Sequence, residues 1–183
     1  MATNHMGHFL VTKELLPLVE AAAAARGPAT ITVVTIAAHF NSYPEGVRLD
    51  FALLNDPSIY NRIDAYGQTK VANVLFAQEL AARLESSNVL VNAVNLGMVT
   101  TNIDDNFARL VRSLVKADLA GWHPADAALT QLYTAVSPKL KASRTTGKYF
   151  LPIARETRSD PHTFNATLQH GFWEPSEAFV LMH

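Results

Sequence analysis

Cysteine is absent from the 183 residues. That excludes a disulfide framework and thiolate metal sites, and it fits a reducing, cytoplasmic setting. Charge is scarce as well. Asp, Glu, Lys and Arg make up 17% of the chain and nearly cancel, leaving a net charge of -1. Without a basic excess, nothing points to nucleic acid or to an anionic membrane surface. No apolar run approaches the roughly 18 residues a membrane span needs. The N-terminus lacks the charged, apolar and small-residue order of a secretory signal. Internal repeats, linkers and low-complexity tracts are missing too, apart from the short alanine run at Ala21 to Ala25. What is plentiful is apolar side chain, at 49% of the chain. Such a sequence is not disordered and can bury the core of one domain.

The apolar pattern alternates between two periods. Asn4 to Ala25 reads as a helix, with Phe9, Leu10, Leu15, Leu16 and Val19 at helical spacing, and Gly27-Pro28 ends it. Thr30 to Ile36 is a short β-branched run, expected as a buried strand. His39 to Ile63 is polar and irregular, a long loop with room for one helical turn near Phe51 to Leu54; loops of this length are commonly functional. Tyr66 to Leu84 has a broad apolar helical face. Val89 to Val94 is a second strand, and Gly97 opens a loop. Helices are expected at Asn102 to Ala117 and at Ala125 to Ala135, the latter led in by Pro124. Lys148 to Pro152 is a third strand, and a last helix is expected around Phe164 to Phe179. Helices alternating with strands predict an α/β fold, a parallel sheet of about three strands covered by helices.

The chemistry concentrates in Tyr66-Gly67-Gln68-Thr69-Lys70. Tyr and Lys four apart on a helix share a face. An ammonium near a phenol favours phenolate and lowers the tyrosine pKa from about 10. Such a tyrosine can give a proton to a carbonyl or take one from an alcohol. The same pair also reads as a surface aromatic beside a solvated lysine.

Around this pair the sequence resembles the short-chain dehydrogenase/reductase family, in the branch of retinol dehydrogenases and WW-domain oxidoreductases. Four stretches carry the likeness, in the family's order: Asn4 to Leu10, Ala65 to Asn73, Asn95 to Thr101, and Gly147 to Phe150. The resemblance implies a Rossmann-type parallel sheet and hydride transfer between NAD or NADP and a carbonyl or alcohol. The Tyr43 to Ile63 and Phe107 to Trp122 segments would line the pocket, and their apolar content points to a lipophilic substrate. The resemblance also implies Tyr66 as acid/base and Lys70 as the residue that tunes it and bonds the nicotinamide ribose. Asn4 would hold a relay water, or else cap a helix. Gly97 would let backbone approach the nicotinamide, or else be a turn glycine. Thr101 would sit near the carboxamide, or cap the following helix. The helices carrying Asn4 and Tyr66 would form a homodimer interface.

Two departures from the family pattern stand out. Ile36 falls where the family has a serine that bonds the substrate oxygen. Isoleucine has no hydroxyl, and Thr35 next to it points to the opposite face of a regular strand. A lost donor of this kind costs about 10²–10³ in rate. Second, none of the 8 glycines forms a G-x-G or G-x-x-x-G-x-G cluster. The family's glycine-rich strand-turn-helix, which holds the pyrophosphate, is expected to be missing. Residues 1–183 then form a single partial domain that corresponds to the C-terminal part of the family's sheet. Its first strand would keep an unpaired apolar edge. Either the family's chemistry or association without catalysis is compatible with these departures.

No metal site is expected. His5 and His8 share a helical face but lack a third ligand at a recognisable spacing, and packing is the plainer role. His39 reads as a packing residue or a substrate-loop residue. Asp104-Asp105 reads as a helix first turn. Phe172, Trp173 and Phe179 read as a tail packed on the body, with a substrate cap as the alternative.

Overall fold

The computed structural model describes residues 1–50, 53–54, 56–99 and 122–182. The sheet is built on β2 (Val89–Asn95), whose seven residues are all buried. Apolar residues on both of its faces suit a strand covered from both sides. β1 (Ala29–Thr35) pairs with it in parallel, in register from Ala29 opposite Val89 to Thr35 opposite Asn95. β3 (Tyr149–Leu151) runs parallel on its other side, and β4 (Arg155–Thr157) pairs antiparallel with β3. The order is β1-β2-β3-β4. The sheet therefore has one strand more than expected. β4 is Arg-Glu-Thr and wholly exposed, so it carries no apolar signal. Among the described residues β1 lies at the sheet edge, without a charged residue or proline to blunt it.

Among the described residues, five α-helices cover the sheet. They are α1 (Gly7–Arg26), α2 (Arg62–Arg83), α3 (Pro124–Val136), the short α4 (Pro138–Ala142) and α5 (Ala166–Leu181). On one face Phe9 of α1, Phe76 and Leu80 of α2 and Trp173 of α5 pack on Val91, Ala93 and Tyr149. On the other face Val94 and Phe150 pack on Leu140 and Tyr133. The threonines of β1 tie it to α3. Thr30 Oγ1 donates to the Ala135 carbonyl at 2.6 Å, and the Thr32 and Thr134 hydroxyls lie 3.1 Å apart.

The C-terminal aromatics decide what the tail does. Trp173 meets Phe9 edge-on at 4.8 Å and stacks on Phe76 at 5.9 Å. The Arg83 guanidinium lies over the Trp173 ring at 4.3 Å. Phe172 and Trp173 are buried. They pack α5 onto the body, as the plainer reading had it. His5 is buried in the same cluster, bonded to Asn73 and Ser176, whereas His8 is exposed, so the two do not share a site.

This packing has a consequence for self-association. Between residues 71 and 81 of α2, all but Gln78 are buried. The Tyr66-helix half of the expected interface is thus covered within the chain, while α1 keeps Leu10, Val11, Leu15 and Leu18 exposed. No helix among the described residues is long and apolar enough to cross a membrane. The helix expected at Asn102 to Ala117, with Thr101, Asp104 and Asp105, lies outside the described residues.

Candidate active site

α2 begins before Tyr66, because Asn61 caps it. The Asn61 side-chain oxygen accepts from the amides of Ile63 at 2.8 Å and Asp64 at 3.2 Å. Tyr66 therefore sits in the second turn rather than opening the helix, a correction to the sequence reading. Tyr66 and Lys70 do share a face. The Lys70 Nζ lies 5.3 Å from the Tyr66 ring centroid, within cation–π range. Both side chains are half-buried, and burial sets their acidity. It raises the Tyr66 pKa above its ordinary 10 and lowers that of Lys70 below 10.5. The direction for Tyr66 is the reverse of what an adjacent ammonium alone would give. Desolvation sets it.

Asn4 lies inside a π-turn, Ala2–Met6, whose N-cap is Met1, so it is not a helix cap. Such turns concentrate at functional sites. Its side-chain amide donates to Thr69 Oγ1 at 3.3 Å, and that hydroxyl donates to the Tyr66 carbonyl at 2.7 Å. Asn4 thus reaches Tyr66 through Thr69. A cavity of about 360 Å³ opens beside them, with Asn4, Leu54, Tyr60, Arg62, Tyr66 and Gln68 in its wall. Lys70 and Gly97 are not part of that wall.

Gly97 follows β2 with φ +73°, and its amide donates to Asn95 Oδ1 at 2.8 Å. A Cβ here would lie 2.5 Å from the Trp122 indole and 3.1 Å from Pro152. The bare backbone here is packed against the Trp122 indole. It stands at the C-terminal ends of parallel strands, where α/β sheets bind ligands. For a pyrophosphate the sequence offers no glycine cluster.

The segment after β1 packs against α2 beside Tyr66. Ile36 leads into a 3₁₀ turn, Ala37–Phe40. Thr35 is fully buried, and its hydroxyl donates to the Lys70 carbonyl at 3.0 Å. It anchors α2 to β1. His39 is also fully buried, donates from Nδ1 to the Ile36 carbonyl at 2.7 Å and packs edge-on against Tyr149. That is a packing role. Asn73, in the same motif as Tyr66, donates to the Val34 carbonyl at 3.2 Å.

Two residues that shape the site were not singled out from sequence. A Cβ on Gly67 would lie 1.8 Å from the Asn41 carbonyl oxygen and 2.8 Å from that of Ala38. The 38–41 backbone thus rests directly on α2 beside Tyr66. A glycine inside a strong helical pattern, at about 1 kcal/mol against alanine, was the available signal. Tyr43 is buried, and its hydroxyl bonds both the amide and the carbonyl of Asn61, at 3.2 and 3.4 Å. It locks the long loop to the cap of α2.

Comparison with known proteins gives the same picture. No family model matches the chain. Retinol dehydrogenase 14 of Mus musculus is 32% identical over 181 residues, which is 97% of this chain and 51% of that protein. Short-chain dehydrogenase TIC 32 B, chloroplastic, of Brassica napus is 34% identical over 183 residues, 98% of this chain and 56% of that one. Among solved structures, 3-ketoacyl-(acyl-carrier-protein) reductase from Brucella melitensis complexed with NADH shares the fold. Its TM-score is 0.59 at 21% identity, over 82% of this chain and 53% of that one. An uncharacterized protein from Mycobacterium paratuberculosis aligns over 98% of this chain and 57% of its own, with a TM-score of 0.64 and 23% identity. The chain spans about half the length of the curated relatives it matches. By this likeness over nearly all its residues, and by the sheet and helix order that goes with it, the chain belongs to the short-chain dehydrogenase/reductase family.

Proposed function

We propose that this chain carries the acid/base end of an NAD(P)-dependent oxidoreductase that interconverts a carbonyl and an alcohol. The observation that carries the reading is Tyr66 beside Lys70, with Tyr66 and Asn4 in the wall of one cavity. The dinucleotide, when bound, supplies or accepts the hydride. The Tyr66 hydroxyl gives its proton to the carbonyl oxygen as negative charge develops there, and takes one from the alcohol in reverse. Burial keeps the phenol protonated at neutral pH, which favours the reducing direction. The Lys70 ammonium stabilises the phenolate left behind. By the resemblance, Lys70 and Tyr66 would hold the ribose, Gly97 and Thr101 the nicotinamide end, and Asn4 a place in the proton relay.

Leu54 and Ala65 give the cavity an apolar side, in keeping with a lipophilic carbonyl. Self-association belongs to this reading through α1, where Leu10, Val11, Leu15 and Leu18 are exposed. A cytoplasmic setting rests only on the lack of cysteine; one relative's name places that protein in the chloroplast. A second reading, association without catalysis, is favoured by Ile36, since Thr35 spends its hydroxyl on the Lys70 carbonyl.

Titration of the purified chain with NADH and with NADPH, followed by nicotinamide fluorescence, separates the two. Saturable binding of either well below the millimolar range is expected, weakened by Lys70→Met. No binding at millimolar concentration of either would leave the second reading in place.

A further inference from the structure

The ring of His162 stands between two groups that can only accept. Its Nδ1 lies 2.6 Å from Asp160 Oδ1, and its Nε2 lies 2.9 Å from the Pro44 carbonyl oxygen. The same carboxylate oxygen also accepts from the His162 amide at 2.9 Å, so Asp160 caps the 3₁₀ turn Pro161–Phe164. A neutral imidazole has one N–H and can serve one of the two acceptors. Both are served only when both nitrogens carry hydrogen. We propose that His162, as an imidazolium, is a positioning residue that straps the 43–48 loop to the Pro161–Phe164 turn and thereby holds one wall of the Tyr66 cavity.

The loop is built around that ring. Gly46, at φ +79°, would place a Cβ 2.8 Å from the His162 side chain, so its bare α-carbon lets the imidazole pass. From the strapped loop, named bonds lead to the cavity. Tyr43 bonds the backbone of Asn61, the cap of α2. The Arg48 amide donates to Gln68 Oε1 at 3.4 Å, and Gln68 is part of the cavity wall.

The charged groups around the ring favour the imidazolium. Asp160 comes from the turn and Glu45 from the loop, and Glu45 is partly neutralised by Arg48 Nε at 2.8 Å. Arg48 itself lies over the Tyr43 ring at 3.5 Å. Arg158 lies over Phe164, at the far end of the turn. Burial lowers the pKa of His39, the other histidine near Asp160. The Asp160 hydrogen bond, then the Pro44 carbonyl and Glu45, keep the His162 pKa above its ordinary 6.5. A raised pKa in the folded state means a contribution that is whole below 6.5 and is lost as pH rises through the raised value. Above it, one acceptor loses its donor and the strap is weakened.

The test needs no enzyme activity. Histidine ring NMR, with His162→Gln for assignment, should show His162 titrating above 6.5 and both of its nitrogens protonated near pH 6. Hydrogen exchange of the Gly46 and Val47 amides, corrected for intrinsic rates, should lose about tenfold in protection between about pH 6 and about pH 8.5, the net worth of one hydrogen bond. Asp160→Asn, which keeps the cap, should move that midpoint down, and His162→Gln should show the lower protection at every pH. His162 titrating at or below 6.5, pH-independent protection in the wild type, or a midpoint unmoved by Asp160→Asn would each overturn the proposal.

Discussion

Replacing Gly67 with alanine pits two effects of opposite sign against each other. Helix propensity alone favours the alanine by about 1 kcal/mol at an interior helical position. Contact geometry opposes it. The new Cβ would sit 1.8 Å from the Asn41 carbonyl oxygen and 2.8 Å from that of Ala38. Both obstacles are backbone, so no side chain can swing away. To restore ordinary contact the 38–41 turn must retreat by about 1.5 Å. That turn is held by its own hydrogen bonds, Asn41 N to the Ala38 carbonyl at 3.0 Å and His39 N to the Ile36 carbonyl at 3.2 Å, and by the buried His39 ring. Overpacking of this kind costs about 1–3 kcal/mol or more. The clash should win, with a net loss of about 1–2 kcal/mol and a fall in Tm of about 2–8 °C for a domain of this size. Urea and thermal unfolding followed by circular dichroism read this directly. Gly171→Ala is the control. Its nearest neighbour would be Leu49 Cδ1 at an ordinary 3.5 Å, so only propensity acts and stability should rise. If Gly67→Ala is as stabilising as Gly171→Ala, the close seat of the turn on α2 is not real and the wall beside Tyr66 is not built as described.

Other outcomes follow from individual side chains. His5 is buried, and desolvation lowers its pKa from 6.5 to about 4. The unfolded chain then takes up a proton that the fold refuses as pH falls from 6.5 toward 4, so stability is lost across that window, by about 3 kcal/mol at its foot; urea midpoints should drop more steeply there in the wild type than in His5→Gln. Thr35→Val removes the donor to the Lys70 carbonyl and should cost about 1 kcal/mol in unfolding free energy. Gly97→Ala forces φ +73° on a residue with a side chain and pushes on the Trp122 indole; about 1–3 kcal/mol of stability should be lost, with a shift in tryptophan emission.

Much of the fold could be read from the sequence because its strands and long helices are strongly patterned. The β-branched run at Ile31, Val33 and Val34, and the apolar residues of α2 from Val71 to Leu80, leave little choice of period. β4 could not be read, since Arg-Glu-Thr pairs through backbone alone. The start of α2 was legible but missed. Asn61 followed by Asp64 is an N-cap and an acidic first turn, a signal masked by the long polar loop before it. In the site, residue identity pointed to Tyr66, Lys70, Asn4 and Gly97, but not to their arrangement. Sequence spacing gave a shared face for Tyr66 and Lys70, yet the direction of the Tyr66 pKa depends on burial, a tertiary quantity. The alternation rule set Thr35 apart from Ile36, but only the packing of β1 against α2 shows where its hydroxyl goes. Gly67 and His162 act through backbone brought near from 26 and 118 residues away, Asn41 and Pro44, which no local pattern reports.

Proton transfer by the Tyr66 phenol is the claim on which the functional reading depends, and single-turnover reduction of a hydrophobic aldehyde by NADH or NADPH tests it most directly. The wild-type chain should show turnover, and Tyr66→Phe, with an unchanged circular dichroism spectrum, should be slower by about 10²–10⁴. Lys70→Met should move the alkaline limb of the rate profile to higher pH, since it removes the charge that favours the phenolate. A wild-type rate no different from that of Tyr66→Phe, with either dinucleotide, would contradict the account.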